Sequence, residues 1–290
     1  MLEGRVAIVT GAGQGLGLAH ARALAEHGAD VVVNDVGAAA SSVADEIVAM
    51  GGSAVACPAD VADWDDAARL VDFAVQRFAR LDVLVNNAGI VRDRMLVSMT
   101  EDDWDEVLRV DLKGHFCPLR HAAAYWREGA KRGEGVDARV INTSSGAGLL
   151  GSLGQSNYSA AKAGVAALTI VAAEELKRYG VTVNAIAPAA RTPMTEAVFA
   201  EAMRKPEQGF DAMDPANVSP LVVWLAGPDS RAVTGRVFEV EGGVVGVADG
   251  WHHGPRIDKE ARWEPAELGA AVRDLLDQAP RAAPVYGAAG

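Results

Sequence analysis

Residues 5–17, RVAIVTGAGQGLG, contain the pattern from which the fold can be inferred. Arg5–Thr10 is a short apolar run rich in β-branched residues and predicts a strand, while Leu16–His27 predicts a helix. The segment that leads from the strand into the helix, residues 10–17, contains four glycines: Gly11, Gly13, Gly15 and Gly17. Glycine permits a sharp turn and a close approach of backbone to a ligand, and a helix N-terminus attracts phosphate. Alone, such a turn is also typical of an ordinary tight connection, but at the start of a βαβ unit it predicts a dinucleotide site.

Strand-like and helix-like segments alternate along most of the chain. Further strands are predicted at Asp30–Val36, Ser53–Cys57, Leu81–Val85, Arg139–Thr143, Val181–Ala187 and Arg236–Val240. Further helices are predicted at Val43–Met50, at Trp64–Phe78, after a capping box at Thr100, at Tyr158–Tyr179 and from Asp214 to Leu225. Gly114 and Pro118 predict a kink or break in the helix that begins at Thr100. The alternation predicts an α/β fold: a doubly wound, Rossmann-like parallel sheet of about seven strands with helices on both faces.

The pattern changes after the last predicted strand. We predict one catalytic and dinucleotide-binding domain, residues 1–247, followed by a C-terminal extension, residues 248–290. Within the extension, Glu264–Gln278 predicts an amphipathic helix, and the Ala/Pro/Gly-rich residues 281–290 are expected to be mobile. Two tryptophans of the extension are expected to fill the core beneath it rather than to cap a substrate pocket: Trp251 and Trp263.

Composition and charge exclude several classes of protein. The 290-residue chain has a formal net charge of -12 and no basic run, so no nucleic-acid partner is expected. It has no run of about 18 apolar residues, so no membrane span is expected, and its N-terminus enters a strand at once, so the expected location is the cytoplasm. Cys57 and Cys117 form no C-x-x-C motif and predict free, buried or half-buried thiols. The adjacent His252 and His253 lack partners at zinc spacing, so no metal is expected.

Asp35 closes the second predicted strand, eighteen residues after Gly17. A carboxylate at this place accepts hydrogen bonds from the adenosine ribose hydroxyls and repels a 2′-phosphate. No Arg or Lys stands beside it, and the glycine-rich turn carries Gln14 rather than a base. Asp35 is therefore predicted to select NAD over NADP, although a solvated acid at a strand end is the simpler alternative.

The sequence YSAAK at residues 158–162 places Tyr158 and Lys162 four residues apart on one helix face. The lysine cation stabilises the phenolate, and the positive ring of an oxidised nicotinamide adds to this effect, which makes Tyr158 a possible proton acceptor for an alcohol. Ser145 follows the strand at 139–143 and is predicted to hold the substrate oxygen beside the tyrosine. A lone Tyr-x-x-x-Lys pair is also typical of an exposed helix, but its combination with the glycine-rich turn, the strand-end acid and Ser145 favours a catalytic site.

These motifs together resemble the classical short-chain dehydrogenase/reductase family over about residues 1–247. Besides the segments already named, the resemblance rests on Asp60-Val61, on NNAG at 86–89 and on NAIAP at 184–188. It implies contacts with three parts of the cofactor: Asp60 and Val61 at the adenine, Asn87 and Ala88 at a ribose, and Pro188 and Thr192 at the nicotinamide carboxamide. The whole cofactor site that it implies is Gly11, Gln14, Gly15, Leu16, Gly17, Asp35, Asp60, Val61, Asn87, Ala88, Gly89, Tyr158, Lys162, Pro188 and Thr192.

The chain departs from the family pattern at two places. The family usually has an asparagine in the helix after the fourth strand, where it supports a water chain to the lysine, and this chain has Asp111. Asp111 is included among the predicted catalytic residues, and its charge is expected to alter the proton relay. The path from NAIA to Thr192 is one residue shorter than usual. This loop and VVVNDVG at residues 31–37 resemble a subgroup that includes the (3R)-hydroxyacyl-CoA dehydrogenase part of peroxisomal multifunctional enzymes and actinobacterial relatives acting on acyl-CoA or steroid substrates.

The predicted function is NAD-dependent hydride transfer between nicotinamide and a secondary alcohol or ketone. The apolar loop Pro193–Phe199 favours a hydrophobic small-molecule substrate, a 3-hydroxyacyl-CoA or a hydroxysteroid, over a sugar or polyol. A non-catalytic dinucleotide-binding sensor or scaffold is the alternative from another class, and Asp111 is the only feature in its favour.

Two further expectations concern the surface. Three basic residues near the predicted active-site loop either meet a CoA phosphate or, as we expect, are solvated surface charges: Arg191, Arg204 and Lys205. The family resemblance implies a homo-oligomer, a tetramer or a dimer, with the long helices that start near Thr100 and Tyr158 at the interface.

Overall fold

All strands of the described chain lie in one sheet. The computed structural model describes residues 1–195, 201, 203–281 and 283–287. Its strands are β1 (Val6–Val9), β2 (Asp30–Val33), β3 (Ser53–Ala56), β4 (Val83–Asn86), β5 (Ala138–Thr143), β6 (Val181–Ala189), β7 (Val237–Glu241) and β8 (Val244–Ala248). They follow the order β3-β2-β1-β4-β5-β6-β7-β8. Because the chain moves in opposite directions on the two sides of β1, a crevice opens at the carboxyl ends of β1 and β4, where such sheets bind ligands.

The predicted doubly wound parallel sheet is confirmed, with one strand more than expected. β1 to β7 pair in parallel, whereas β8 pairs antiparallel to β7, with Glu241 opposite Val244. This register leaves a two-residue connection, Gly242-Gly243, and Gly242 has φ +53°. A Gly-Gly pair between apolar runs is a hairpin signal, so the eighth strand had a local cue that the count of βα units does not contain.

Helices cover both faces of the sheet. They are α1 (Gly15–Glu26), α2 (Ala39–Ala49), α3 (Trp64–Phe78), α4 (Glu101–Val107), α5 (Gly114–Lys131), α6 (Gly146–Leu150), α7 (Ser156–Leu176), α8 (Ser219–Ala226) and α9 (Pro265–Gln278). Residues of α1, α2 and α8 share one apolar cluster, and residues of α3, α5 and α7 share the other. Strand side chains alternate between the two: Ala7 and Val9 belong to the first cluster, and Val6 and Ile8 belong to the second.

Two predicted boundaries were wrong by three to four residues. β2 ends at Val33 rather than at residue 36, and α2 begins at Ala39 rather than at residue 43. The side-chain amide of Asn34 donates to the Cys57 and Ala59 carbonyls at 3.0 and 3.1 Å, so the chain beyond β2 is held by these side-chain bonds together with a few backbone bonds. Alanine is the strongest helix former, which explains the early start of α2 in a stretch without a strong apolar period.

The long helix that begins after Thr100 changes its geometry where a break was predicted. The capping box at Thr100 is present, α4 ends at Val107, and Leu108–Lys113 forms a π-helical segment before α5 begins at Gly114. The expected disturbance is therefore confirmed at Gly114, but Pro118 lies inside α5, which continues to Lys131. A π-helical segment widens the turn and is frequent at functional sites.

The C-terminal extension differs from its prediction at the tryptophans. The amphipathic helix is confirmed as α9, but Trp251 is fully exposed and fills no core, while Trp263 is half-buried with Lys259 Nζ 5.3 Å from its ring centre. Isolated apolar side chains gain no burial unless another element covers them, and no described element covers Trp251. Cys57 is half-buried and Cys117 is buried, both as free thiols. Among the described residues, no helix is long and apolar enough to cross a membrane, and no group of three potential metal ligands is found.

Candidate active site

A cavity of about 1250 Å³ opens at the carboxyl ends of the parallel strands. It is lined by fourteen of the fifteen residues predicted to bind the cofactor and by all of those predicted to be catalytic. Gly17 is the exception because it lies beneath the turn. A Cβ there would overlap the Gly11 carbonyl oxygen and lie 2.6 Å from Asn87 Nδ2. Gly17 thus permits the close packing of the turn rather than forming the cavity wall.

The turn between β1 and α1 leaves the helix N-terminus facing the cavity. Gln14 is the N-cap residue and its side chain makes no capping hydrogen bond, so the first N–H groups of α1 are available to an anion. Gly11 and Gly15 have φ +60° and +55°, a region that side chains rarely occupy, and a Cβ on Gly11 would lie 2.7 Å from Ala88 Cα. The positions predicted from spacing are therefore required by the backbone itself.

Thr10 joins this turn to the end of β4, a role that the sequence did not reveal. Its Oγ1 accepts hydrogen bonds from the backbone N–H groups of Asn87 and Ala88 at 2.9 and 3.1 Å. In return, Asn87 Nδ2 donates to the carbonyls of Thr10 and Gly11 at 3.0 and 3.2 Å. A threonine directly before a glycine-rich turn was the only available signal.

Asp35 stands at the edge of the cavity beyond β2. Its Oδ2 accepts from the Gly13 N–H at 3.0 Å, and its Oδ1 accepts from the Val36 N–H at 2.8 Å. A Cβ on Gly13 would lie 2.8 Å from Asp35 Oδ2, so glycine at this position lets the carboxylate approach the turn. Asp35 remains half-buried and lines the cavity, as predicted.

Ser145, Tyr158 and Lys162 meet at the other end of the cavity; we call them the reacting centre. Ser145 follows β5 and caps α6, accepting the Ala147 N–H at 3.1 Å, while Tyr158 and Lys162 lie one turn apart in α7. Lys162 is 2% exposed, its Nζ donates to the Thr143 carbonyl at 3.0 Å, and the same Nζ lies 5.5 Å from the centre of the Tyr158 ring. The sequence prediction that these side chains converge agrees with the geometry.

Asp111 forms a direct ion pair with Lys162. Its Oδ2 lies 3.2 Å from Lys162 Nζ, and its Oδ1 accepts the Ile90 N–H at 2.8 Å. Asp111 is fully buried, and this burial raises the pKa of its carboxyl, an effect that the Lys162 charge partly offsets. A Cβ on Gly89 would lie 3.0 Å from Asp111 Oδ2, so the last glycine of NNAG leaves room for the pair.

The net effect of the protein is to raise the pKa of Tyr158, whereas the sequence interpretation considered only the lowering effect of a cation. Burial is the largest cause of the rise, Lys162 lowers the pKa as predicted, and Asp111 raises it. A hydrogen bond with Ser145 lowers it. A base at this position would therefore need additional positive charge at the site to work near neutral pH.

The loop after β6 carries one corrected prediction. Arg191 is not a solvated surface charge: its guanidinium pairs with the Asp211 carboxylate and donates to the Met203 carbonyl at 2.9 Å. Arg204 and Lys205 are exposed, as predicted. Within the predicted apolar loop, Pro193 to Thr195 are described and line the cavity, whereas residues 196–199 lie outside the described part of the chain.

The described tail, residues 283–287, returns to the reacting centre. Tyr286 donates its N–H to the Gly151 carbonyl at 3.1 Å and accepts the Leu153 N–H at 3.0 Å. Its side chain lines the cavity, and a Cβ on Gly146, next to Ser145, would lie 2.9 Å from its hydroxyl oxygen. Sequence reasoning missed Tyr286 because nothing in an Ala/Pro/Gly-rich tail indicates where it returns.

A glycine-rich turn, a strand-end acid and a Tyr–Lys pair around one crevice define a nicotinamide-dependent oxidoreductase site. The sequence profile of the short chain dehydrogenase family matches residues 5–203, and the chain belongs to this family. It is 49% identical over 284 residues to the hydroxyacyl-CoA dehydrogenase ChsB1 of Mycobacterium tuberculosis, covering 95% of this chain and 89% of that protein. It is 62% identical to a short chain dehydrogenase from Mycobacterium avium, whose crystal structure matches with a TM-score of 0.92 over 99% of both chains.

The resemblance to one subgroup is also confirmed. The chain is 41% identical over 281 residues to the peroxisomal multifunctional enzyme type 2 of Mus musculus, covering 93% of this chain and 34% of that protein. The chain thus spans about a third of the multifunctional relative. The activities of the other two thirds of that enzyme have no counterpart in this match.

Proposed function

We propose that this oxidoreductase uses NAD to interconvert a 3-hydroxyacyl-CoA and its ketone. The observation that carries the proposal is the convergence of Ser145, Tyr158 and Lys162 at one end of a cavity whose other end holds the glycine turn and Asp35. The hydroxyacyl-CoA dehydrogenase activity named for the mycobacterial relative at 49% identity supports the substrate class.

The cavity fits a nicotinamide dinucleotide in three respects. The N-terminus of α1 is free of side-chain caps, the Asp35 carboxylate faces the same space, and the volume is large enough for a cofactor together with a substrate. When bound, the nicotinamide ring supplies or accepts the hydride, and its oxidised form adds positive charge beside Tyr158. Pro188 and Thr192 line the part of the cavity assigned to that ring.

Each residue of the reacting centre has a distinct task. Tyr158 accepts the hydroxyl proton of the alcohol during oxidation and returns it during reduction. Ser145 donates a hydrogen bond to the substrate oxygen and holds it beside the phenol. Lys162 lowers the pKa of Tyr158 and is itself held by Asp111 and the Thr143 carbonyl, so Asp111 acts on the proton transfer through the lysine charge.

NAD rather than NADP is proposed because of the charge around the adenosine ribose. Asp35 faces the cavity there, and the neighbouring lining residues Gln14, Asn34 and Val36 carry no positive charge that would pair with a 2′-phosphate. The prediction is tested by fluorescence titration of the protein with NADH and NADPH. We expect NADH to bind more tightly and Asp35→Ala to remove this preference.

The matched control for that titration is Asp229→Ala, which removes an exposed acid away from the cavity and is expected to leave the preference unchanged. Tighter binding of NADPH to the unmodified protein would show that the cofactor assignment is wrong. Binding of neither dinucleotide would favour a protein without turnover.

A hydrophobic substrate is favoured over a sugar or polyol by the apolar side chains around the reacting centre. Leu153, Met194 and Val244 line this part of the cavity. A panel of 3-hydroxyacyl-CoA esters, hydroxysteroids and polyols, assayed with NAD, is expected to give the highest kcat/KM with an acyl-CoA ester. Higher kcat/KM values for polyols would reject this substrate class, and turnover of any member would reject a non-catalytic sensor or scaffold.

The wider organisation is part of the same proposal. We assign residues 1–247 to catalysis and dinucleotide binding and residues 248–290 to an extension, and we place the enzyme in the cytoplasm. Assembly as a homotetramer or homodimer is supported by large apolar side chains that are exposed on α5 and α7: Phe116, Ile170 and Val171. Light scattering is expected to show an oligomer, and a monomer would contradict this part of the proposal.

A further inference from the structure

Arg109 forms a three-residue ion network at the end of the cavity that is remote from the reacting centre. Its Nη1 donates to Asp60 Oδ2 at 2.8 Å, and its Nε and Nη2 donate to the two carboxylate oxygens of Glu106 at 2.8 and 2.7 Å. All three side chains line the cavity. We propose that Arg109 is a positioning residue for the cofactor's base, because it holds the Asp60 carboxylate where it accepts a hydrogen bond from a 6-amino purine. This inference rests on the proposed dinucleotide site.

The Asp60 carboxylate is fixed from two sides. Oδ1 accepts the Ala62 N–H at 2.9 Å and Oδ2 accepts from Arg109, while the backbone N–H of Asp60 donates to Asp66 Oδ2 at 3.0 Å. Each carboxylate oxygen accepts two hydrogen bonds, so both oxygens retain capacity toward the cavity after these contacts are made. The two hydrogen bonds therefore fix the orientation of the Asp60 carboxylate and leave acceptor sites free on the cavity side.

The charge state of Asp60 suits an acceptor. Burial alone would raise the pKa of its carboxyl, but the hydrogen bonds from the Ala62 N–H and Arg109, together with the arginine charge, outweigh it and lower the pKa. Asp60 is then ionised near neutral pH and has no proton to donate. An acceptor of this kind favours the amino group of adenine and repels the oxygen that a 6-oxo purine presents at the same place.

The segment that carries Arg109, Leu108–Lys113, contacts both the Asp60 loop and the reacting centre. Arg109 and Asp111 belong to the same π-helical segment and both line the cavity, yet Arg109 contacts Asp60 whereas Asp111 contacts Lys162 at the reacting centre. Gly114 follows directly, and a Cβ there would lie 2.9 Å from Val61 Cγ2, so the segment packs tightly on the loop that holds Asp60. The π-helical geometry thus positions the Arg109–Asp60 and Asp111–Lys162 contacts at the wall of the proposed cofactor pocket.

The test compares NADH with reduced nicotinamide hypoxanthine dinucleotide, which differs only in having a 6-oxo purine. Fluorescence titration is expected to show that the unmodified protein binds NADH more tightly. Arg109→Met is expected to reduce this preference about tenfold, which corresponds to one hydrogen bond to a charged group, mainly by weakening NADH. Arg109→Lys keeps the charge but not the forked contact and is expected to retain part of the preference.

Arg127→Met is the matched control, because Arg127 pairs with Glu128 on α5 and does not line the cavity. The preference of Arg127→Met for NADH over the hypoxanthine dinucleotide is expected to equal that of the unmodified protein. Equal binding of the two dinucleotides by the unmodified protein, or a full preference in Arg109→Met, would overturn the role of Arg109. If thermal melting shows that Arg109→Met does not fold, an unchanged preference in Arg109→Lys has the same meaning. Failure of the unmodified protein to bind either dinucleotide contradicts the proposed function instead.

Discussion

The strand-and-helix body, residues 1–247, and the extension that follows β8 differ in how far they bury large apolar side chains. Trp126 on α5 is 2% exposed and donates its indole N–H to the Leu81 carbonyl at 2.7 Å, whereas Trp251 is fully exposed. On α9, Leu268, Val272 and Leu276 are likewise exposed, although they lie four residues apart on one helix face. The body thus buries the side chains that its periodicity selects, while the extension keeps an apolar stripe that no described element covers.

The difference shows what each region contributes to function. In the body, residues at or just beyond the carboxyl ends of buried strands line the cavity, and the long helix α7 carries Tyr158 and Lys162, so the buried elements fix the positions of these side chains. Among the described residues of the extension, those that line the cavity belong to the tail at 283–287, which is held there by backbone hydrogen bonds to residues 151 and 153. We therefore expect changes in the body to affect catalysis and stability, and changes in the extension to affect substrate binding alone.

Tyr158→Phe gives the largest expected effect. Removing the hydroxyl that we propose transfers the proton is expected to lower kcat by about 10²–10⁴-fold, the range for loss of a general acid–base group, while the dissociation constant of NADH stays within about twofold. Steady-state kinetics with NADH titration measures both quantities. A kcat within about tenfold of the unmodified enzyme would remove Tyr158 from the mechanism.

The two tryptophans test the structural side of the comparison directly. Trp126→Ala is expected to lower the free energy of unfolding by about 3–5 kcal/mol, because it leaves a cavity in the core and removes the bond to Leu81. Trp251→Ala is expected to change it by less than about 0.5 kcal/mol, since the side chain makes no buried contact. Urea denaturation of both variants provides the measurement. Similar losses in the two variants would mean that the extension is covered by another copy of the chain in solution.

Gly17→Ala is expected to weaken NADH binding about a hundredfold, since the added methyl overlaps the Gly11 carbonyl and displaces the turn. Gly243→Ala is the control: a Cβ there meets nothing within 4 Å and φ is not positive. Isothermal titration with NADH compares the two. Equal affinities would show that the turn adapts and that its packing does not control cofactor binding.

The sequence predicted the body better than the extension for a physical reason. Strand and helix periods, the glycine turn and the spacing of Tyr158 and Lys162 are local signals, and they located the crevice; every predicted site residue except Gly17 lines it. Arg109 and Tyr286 gave no such signal, because their partners, Asp60 and the 151–153 loop, are distant in the chain. The direct Asp111–Lys162 ion pair could not be predicted either. An aspartate in place of the usual asparagine indicates a negative charge, but not how far it lies from the lysine.

Tyr286→Ala tests the described part of the extension that reaches the cavity. The variant is expected to raise the KM of the proposed hydroxyacyl substrate several-fold, with kcat and NADH affinity within about twofold, because the side chain forms cavity wall beside Gly146 and is not one of the three residues proposed to act in the chemical step. Tyr179→Ala, on the side of the molecule away from the cavity, is the control. A fall in kcat without a change in KM would place Tyr286 in the chemical step instead.

Asp111→Asn gives the smallest and most specific effect. The Asp111 carboxylate raises the pKa of Tyr158, so removal of its negative charge lowers that pKa, and the rise of kcat/KM for alcohol oxidation with pH moves to lower pH. Asp274→Asn removes an acid from α9 in the extension and is expected to leave the profile unchanged. A shift to higher pH would mean that the substitution also releases Lys162 from its position, because loss of the lysine charge near Tyr158 raises the phenol pKa. In that case Asp111 acts by holding Lys162 in place, and the contribution of its own charge to the proton transfer is the lesser one.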